Sequence, residues 1–175
     1  MMIKLDCDDD KLLKVINNLF EQKNLIYKVK SNQYFVNIKI KVNSNNINID
    51  INGSKNNLTL PIDINYFFSQ ILKSISNVKL SLKDYEYFPY QRLLSGNHKK
   101  SFLSDIQNTI ISNLVSSTQG VNKDTLYGLI WKKDKEISIN KLDTHLTNLK
   151  NQLKKELDLS INFQSHDKNL RLLID

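Results

Sequence analysis

The chain has 175 residues, 40% of them hydrophobic and 25% charged, enough apolar material for a packed core in one large domain or two small ones. Its formal net charge is +7 and its pI about 9.3. That balance admits a polyanionic partner, but the Lys and Asn excess also follows from A/T-rich codons, so net charge alone identifies none. Cys7 is the single cysteine, which excludes a disulfide framework and a cysteine-based zinc site. His98, His145 and His166 lie far apart without metal-ligand spacing. No apolar run approaches the ~18 residues of a membrane span. The acidic Asp8-Asp9-Asp10 run lacks the basic and apolar regions of a secretion signal, so a cytoplasmic location without membrane contact is expected.

In chain order, the first predicted element is a helix over residues 11–23, where Leu12, Leu13, Val15, Ile16, Leu19 and Phe20 recur at helical spacing. Alternating patterns predict strands at 26–29, 34–42 and 47–51, the last closed by the turn signal Asn52-Gly53. A second helix is expected after Pro61 and Asp63, burying Tyr66, Phe67, Ile71 and Leu72. Residues 1–77 therefore read as a small α/β unit.

Residues 78–175 open with predicted strands at 78–82, 85–88 and 91–94 and a turn at Ser95-Gly96-Asn97. Three helices follow. The first starts at Ser104, whose Gln107 three residues on makes a capping box, and buries Ile106, Ile110, Ile111 and Leu114 before Gln119-Gly120 ends it. The second starts at Asn122 and carries Leu126, Leu129, Ile130 and Trp131. The third covers about 140–157, with Leu142, Leu146, Leu149 and Leu153 in one narrow stripe. Two short strands, at 159–163 and 170–174, then flank a polar turn at 164–169. Three helices followed by a hairpin is the winged-helix plan.

Opposite the Leu stripe of the third helix lie Asn140, Thr144, Thr147, Asn148, Asn151 and Lys155, flanked by Lys141, His145, Lys150 and Lys154. Such a face suits the major groove of B-DNA, where Asn pairs with adenine edges and Thr meets a thymine methyl. The lysines would supply phosphate contacts, which set register. The turn with His166 and Lys168 would lie on the backbone or in the minor groove. The same pattern also describes an ordinary solvated helix, and a lone His145 is more often a packing or surface residue than a catalytic one.

Four blocks carry a resemblance over roughly the last hundred residues. They are Tyr85-Glu86-Tyr87-Phe88 with Gln91-Arg92-Leu93-Leu94; Phe102-Leu103-Ser104-Asp105-Ile106-Gln107 with Ile110-Ile111 and Leu114; Val121-Asn122-Lys123-Asp124-Thr125-Leu126 with Ile130-Trp131; and Leu142-Asp143-Thr144-His145-Leu146 with Leu149-Lys150-Asn151-Gln152-Leu153. In this order they resemble the winged-helix effector domain of OmpR/PhoB-type response regulators. The resemblance implies a transcription regulator whose third helix reads double-stranded DNA, acting as a homodimer and contacting RNA polymerase or another regulator. Departures are specific: Thr147 and Asn148 stand at positions often basic, Gln152 stands for a Lys, and only Leu170-Arg171-Leu172 matches the end of the hairpin. Each lost phosphate contact weakens affinity, since fewer counterions are released.

In such regulators a phospho-accepting receiver precedes the winged helix. Ile3-Lys4-Leu5-Asp6-Cys7-Asp8-Asp9-Asp10 and Leu60-Pro61 are similar to parts of one, but Leu60 stands for the essential lysine. Asp50, between Ile49 and Ile51, is read as solvent-facing, and acidic residues before a helix are commonly caps. The expected architecture is thus α+β. A degenerate receiver-like or dimerisation unit (1–77) precedes a winged helix-turn-helix domain (78–175) with an N-terminal antiparallel sheet and a hairpin wing. Phosphorylation is not expected to switch it. The competing reading is a protein-interaction scaffold that kept the winged-helix fold but lost DNA. Charge does not separate the two, because the halves carry net +3 and +4. With no nucleophile elbow, phosphate-cradling glycine loop, zinc motif or paired carboxylates, an enzyme, a metal and a cofactor are not expected.

Overall fold

The computed structural model describes residues 3–23, 36–117, 119–131 and 139–174. The protein is mixed α+β, with five helices and eleven strands among the described residues. It divides into two compact units, Met1–Val78 and Lys79–Asp175.

The N-terminal unit runs β1 (Ile3–Cys7), α1 (Asp10–Gln22), β2 (Val36–Val42), β3 (Asn46–Ile51), β4 (Ser54–Thr59) and α2 (Ile64–Ser76). Its sheet has the order β1-β2-β3-β4. Only β1 and β2 run parallel, and β2, β3 and β4 form an antiparallel meander, whereas a receiver's doubly wound sheet is parallel. Alternation buries Val36, Ile38 and Ile40 together with Ile47, Ile49 and Ile51 on one face. On the opposite face the register aligns Asp6, Lys39, Asp50 and Lys55 across all four strands, a row of alternating sign. That row is therefore self-neutralised, while Lys4 and Lys41 on the same face are exposed and leave it net positive. The expected strand at 26–29, and Tyr34 and Phe35 of the next, lie outside the described residues.

Local chemistry sets the ends of these elements. Asp9 caps α1, its carboxylate accepting from the Leu12 amide at 2.8 Å, and Asp8 accepts from the Val42 amide at 2.9 Å. Asn52 and Gly53 both have positive φ, the conformation that a two-residue hairpin turn requires. The turn leads into β4, which the polar segment Ser54–Thr59 did not announce. The buried stripe of α2 is Phe67, Phe68, Ile71 and Ile75. Tyr66, expected inside, is 54% exposed, since the 67/71/75 spacing turns position 66 away from the core.

The C-terminal unit begins with an antiparallel sheet in the order β5 (Leu80–Leu82), β6 (Tyr85–Phe88), β7 (Leu93–Gly96) and β8 (Lys99–Phe102). The sequence placed a strand at 91–94 and a turn on Gly96. Instead Gly96 pairs within β7, and the turn is Asn97-His98, both at positive φ. The glycine serves a close approach, because any Cβ there would run into the Tyr85 ring. The β8 segment, Lys-Lys-Ser-Phe, carries no apolar alternation and was not foreseen.

Next come α3 (Asp105–Val115), β9 (Val121–Asn122), α4 (Lys123–Ile130), α5 (Ile139–Leu157), β10 (Ile161–His166) and β11 (Asn169–Ile174). The Ser104/Gln107 capping box and the Asn122 cap are both present. Helix α3 stops at Val115, short of the expected Gln119-Gly120, and Tyr127 joins Leu126 in the core of α4 while Leu129 is half-buried. The hairpin strands reach His166 and restart at Asn169, so the expected loop at 164–169 shrinks to Asp167-Lys168, both at positive φ. Strand β9 pairs with β11 to give a second sheet in the order β10-β11-β9. One core joins Tyr87, Leu94, Ile110, Leu126, the five leucines of α5 and Ile161 and Leu170 of the hairpin.

Gly120 turns the chain into β9 at φ +88, where a Cβ would lie 2.7 Å from Arg171 Cγ and 2.9 Å from the Leu170 carbonyl oxygen. Gly120→Ala should therefore destabilise the C-terminal unit by about 1–3 kcal/mol, read as a lower midpoint in urea unfolding. An unchanged midpoint would contradict this backbone geometry.

Candidate nucleic-acid interface

Helix α5 is oriented by its leucines. Leu142, Leu146, Leu149, Leu153 and Leu157 are all buried, the first at 2% exposure and Leu149 and Leu153 at 0%. Thr144, Asn148, Asn151 and Lys155 each sit two residues beyond a stripe leucine, about 200° around the helix at ~100° per residue. All four are exposed, as are Asn140, Lys141, Thr147, Lys150 and Lys154. The polar face read from the sequence is thus a continuous outer surface.

Its hydrogen-bonding capacity is uneven. Thr144 donates its hydroxyl to the Asn140 carbonyl at 2.8 Å, and Thr147 donates to Asp143 at 2.9 Å. Each threonine therefore offers outward a methyl group and acceptor lone pairs, with its donor hydrogen engaged. Among the described residues, the side-chain amides of Asn148 and Asn151 have no hydrogen-bond partner. They retain both donor and acceptor edges, the set needed for a bidentate contact with adenine.

The flanking cations are less free than the sequence suggested. Lys150 Nζ lies 2.6 Å from Asn162 Oδ1 on β10, which joins the helix face to the hairpin. Lys154 pairs with Asp158 at 2.6 Å and holds that carboxyl below the usual carboxylate range. Lys141 lies 4.7 Å over the Trp131 ring, and half-buried His145 packs on the same ring at 5.6 Å between centroids. Both thus brace the junction of α4 and α5. The Lys155 side chain is exposed.

At the hairpin tip His166 and Lys168 are exposed, as expected, but Lys168 lies 3.7 Å from Asp124 of α4 and His166 is 3.0 Å from Asp167. The neighbouring Lys123 reaches Asp143 of α5 at 3.6 Å, and its backbone amide donates to the Lys168 carbonyl at 2.9 Å. The first turn of α4 therefore ties helix α5 to the hairpin tip. The structure also places Gln164, Asn169 and Arg171 beside His166, lining one recess on the hairpin. Sequence reading put Gln164 and Asn169 in a loop, where strand alternation does not apply, and Arg171 in a strand at 170–174 without a role at the site.

No protein-family model and no curated protein matches the chain. Among the described residues no cluster of three or more His, Cys, Asp or Glu side chains could hold a metal ion, and no helix is long and apolar enough to cross a membrane. The arrangement offers hydrogen-bonding amides, methyl groups and cations on one helix face, with a polar hairpin beside it.

Proposed function

We propose that residues Lys79–Asp175 form a winged helix-turn-helix domain that binds double-stranded DNA, and that the protein is a transcription regulator. In this reading α5 enters the major groove and the β10–β11 hairpin lies on the backbone or in the minor groove. Support comes from the order of α3, α4, α5 and hairpin, and from β9 pairing with β11. The observation that carries the proposal is the exposed stripe Thr144, Asn148, Asn151 and Lys155 directly behind a buried leucine stripe. A B-DNA major groove about 12 Å wide admits such a helix. The protein would act as a homodimer, with the N-terminal unit serving dimerisation or contact with RNA polymerase or another regulator.

In vitro selection from a random duplex pool tests this, and a preferred sequence is the expected outcome. Thr144→Ala and Asn148→Ala should each cost about 1–3 kcal/mol on the selected duplex and little on random DNA. Lys155→Ala should instead weaken all duplexes alike and lower the salt slope by about 1. Equal losses on every duplex for all three variants would overturn α5 as the reader. A second reading, a protein-interaction module on the same fold, is favoured by the intramolecular contacts of Lys150, Lys154 and Lys168. It is distinguished by an empty selection.

A further inference from the structure

A leucine stripe holds a helix down but fixes its rotation poorly, since apolar burial is non-directional. On α5 single directional contacts sit at Asp143 to Lys123, Lys150 to Asn162 and the Leu157 carbonyl, which accepts from Tyr85 Oη at 3.0 Å, but several meet at Gln152, a half-buried residue one turn beyond Asn148. The relay starts at the N-terminus of α3, where the Ser104 amide donates to Gln107 Oε1 at 2.8 Å. That contact fixes which way the buried Gln107 amide faces. Its Nε2 then donates to Gln152 Oε1 at 2.8 Å. Gln152 Nε2 is left aimed at the Phe102 carbonyl at 3.0 Å, Ser101 Oγ at 3.1 Å and Glu156 Oε2 at 3.2 Å. A flipped Gln152 amide would set nitrogen against nitrogen, so each orientation in the relay determines the next.

We propose that Gln152 is the positioning residue of the reading helix: its amide fixes α5 against the β8 edge and the start of α3, and thereby decides which base edges Thr144, Asn148 and Asn151 reach. The proposal rests on the DNA-binding reading. The geometry explains the leverage. Side-chain tips lie roughly 6 Å from the axis of a helix, so a rotation of about 20° displaces them by ~2 Å. Hydrogen bonds tolerate only about 0.5 Å. Losing the relay would therefore spoil base contacts while leaving phosphate contacts, which lysine side chains re-form by bending. A residue that scored as a missing lysine in the sequence is here a tether within the protein.

The test uses the full chain with Gln152→Leu, and with Gln152→Glu, which keeps the acceptor for Gln107 but lacks the donor to Phe102. Two readouts are independent: hydrogen–deuterium exchange of α5 amides without DNA, and affinity for the selected duplex against random duplex. The expected result is faster exchange in α5, a roughly ten-fold loss of preference for the selected duplex, and random-duplex affinity within about two-fold of wild type. Unchanged exchange, unchanged preference, or equal losses on both duplexes would overturn the proposal. Should Gln152→Leu fail to fold, Gln152→Glu decides by the same criteria. If the wild-type protein binds no duplex, the DNA reading falls and so does the proposed control of base contacts. Exchange then shows whether the tether itself holds α5.

Discussion

Replacing Lys150, Lys154 and Lys155 together with glutamate will lower affinity for random-sequence duplex by at least about a hundred-fold at moderate salt. The estimate follows from counterion release, in which each neutralised phosphate contributes about 0.9 to the slope of log affinity against log salt. Lys155 is exposed, whereas Lys150 and Lys154 must leave Asn162 and Asp158 before they reach a phosphate. The slope should therefore fall by between about 0.9, if Lys155 alone engages, and about 2.7, if all three do. Reversal also sets three negative charges against the duplex, which deepens the loss beyond removal alone. All three side chains are exposed, so the fold should persist, and near-UV circular dichroism of Trp131 checks that it does. Affinity unchanged at any salt would contradict placement of this helix face on DNA.

Leu149→Ala should destabilise the C-terminal unit by roughly 2–5 kcal/mol. Leu149 is 0% exposed within the leucine stripe, in the core that joins α3, α4, α5 and the hairpin. Truncation removes buried apolar surface and leaves a cavity that the surrounding leucines fill only in part. At about 5 °C per kcal/mol for a unit of this size, the thermal midpoint should drop by some 10–25 °C. Leu173, 44% exposed on β11, is the control, and its alanine variant should stay within about 0.5 kcal/mol of wild type. A small effect at Leu149 would mean that the stripe does not face the core, and the outward face would lose its basis as well.

The elements most legible in the sequence were those with strong periodicity or explicit caps. The Leu142/Leu146/Leu149/Leu153 stripe oriented α5 correctly because a step of three or four leaves one solution for the buried face. Ser104, Asn122 and Asp63 marked helix starts because their side chains accept the orphan amides of a first turn. What escaped was polar or depended on distant partners. Strands β4 and β8 are edge strands whose side chains are mostly exposed, so neither shows the alternation that announces a strand. Gly96 looked like a turn because the Tyr85 ring that requires it lies across the sheet. At the candidate site the exposed face was legible, but its couplings were not. Lys168 with Asp124, Lys150 with Asn162 and Gln152 with Gln107 are pairs made by folding.

Fluorescence anisotropy of the full chain on a labelled random-sequence duplex, titrated across a salt series, tests the DNA-binding reading most directly. Binding that weakens steeply with salt, along a straight line in log affinity against log salt, is the expected result. No binding even at the lowest salt would contradict it and leave α5 and the hairpin as a surface for a protein partner.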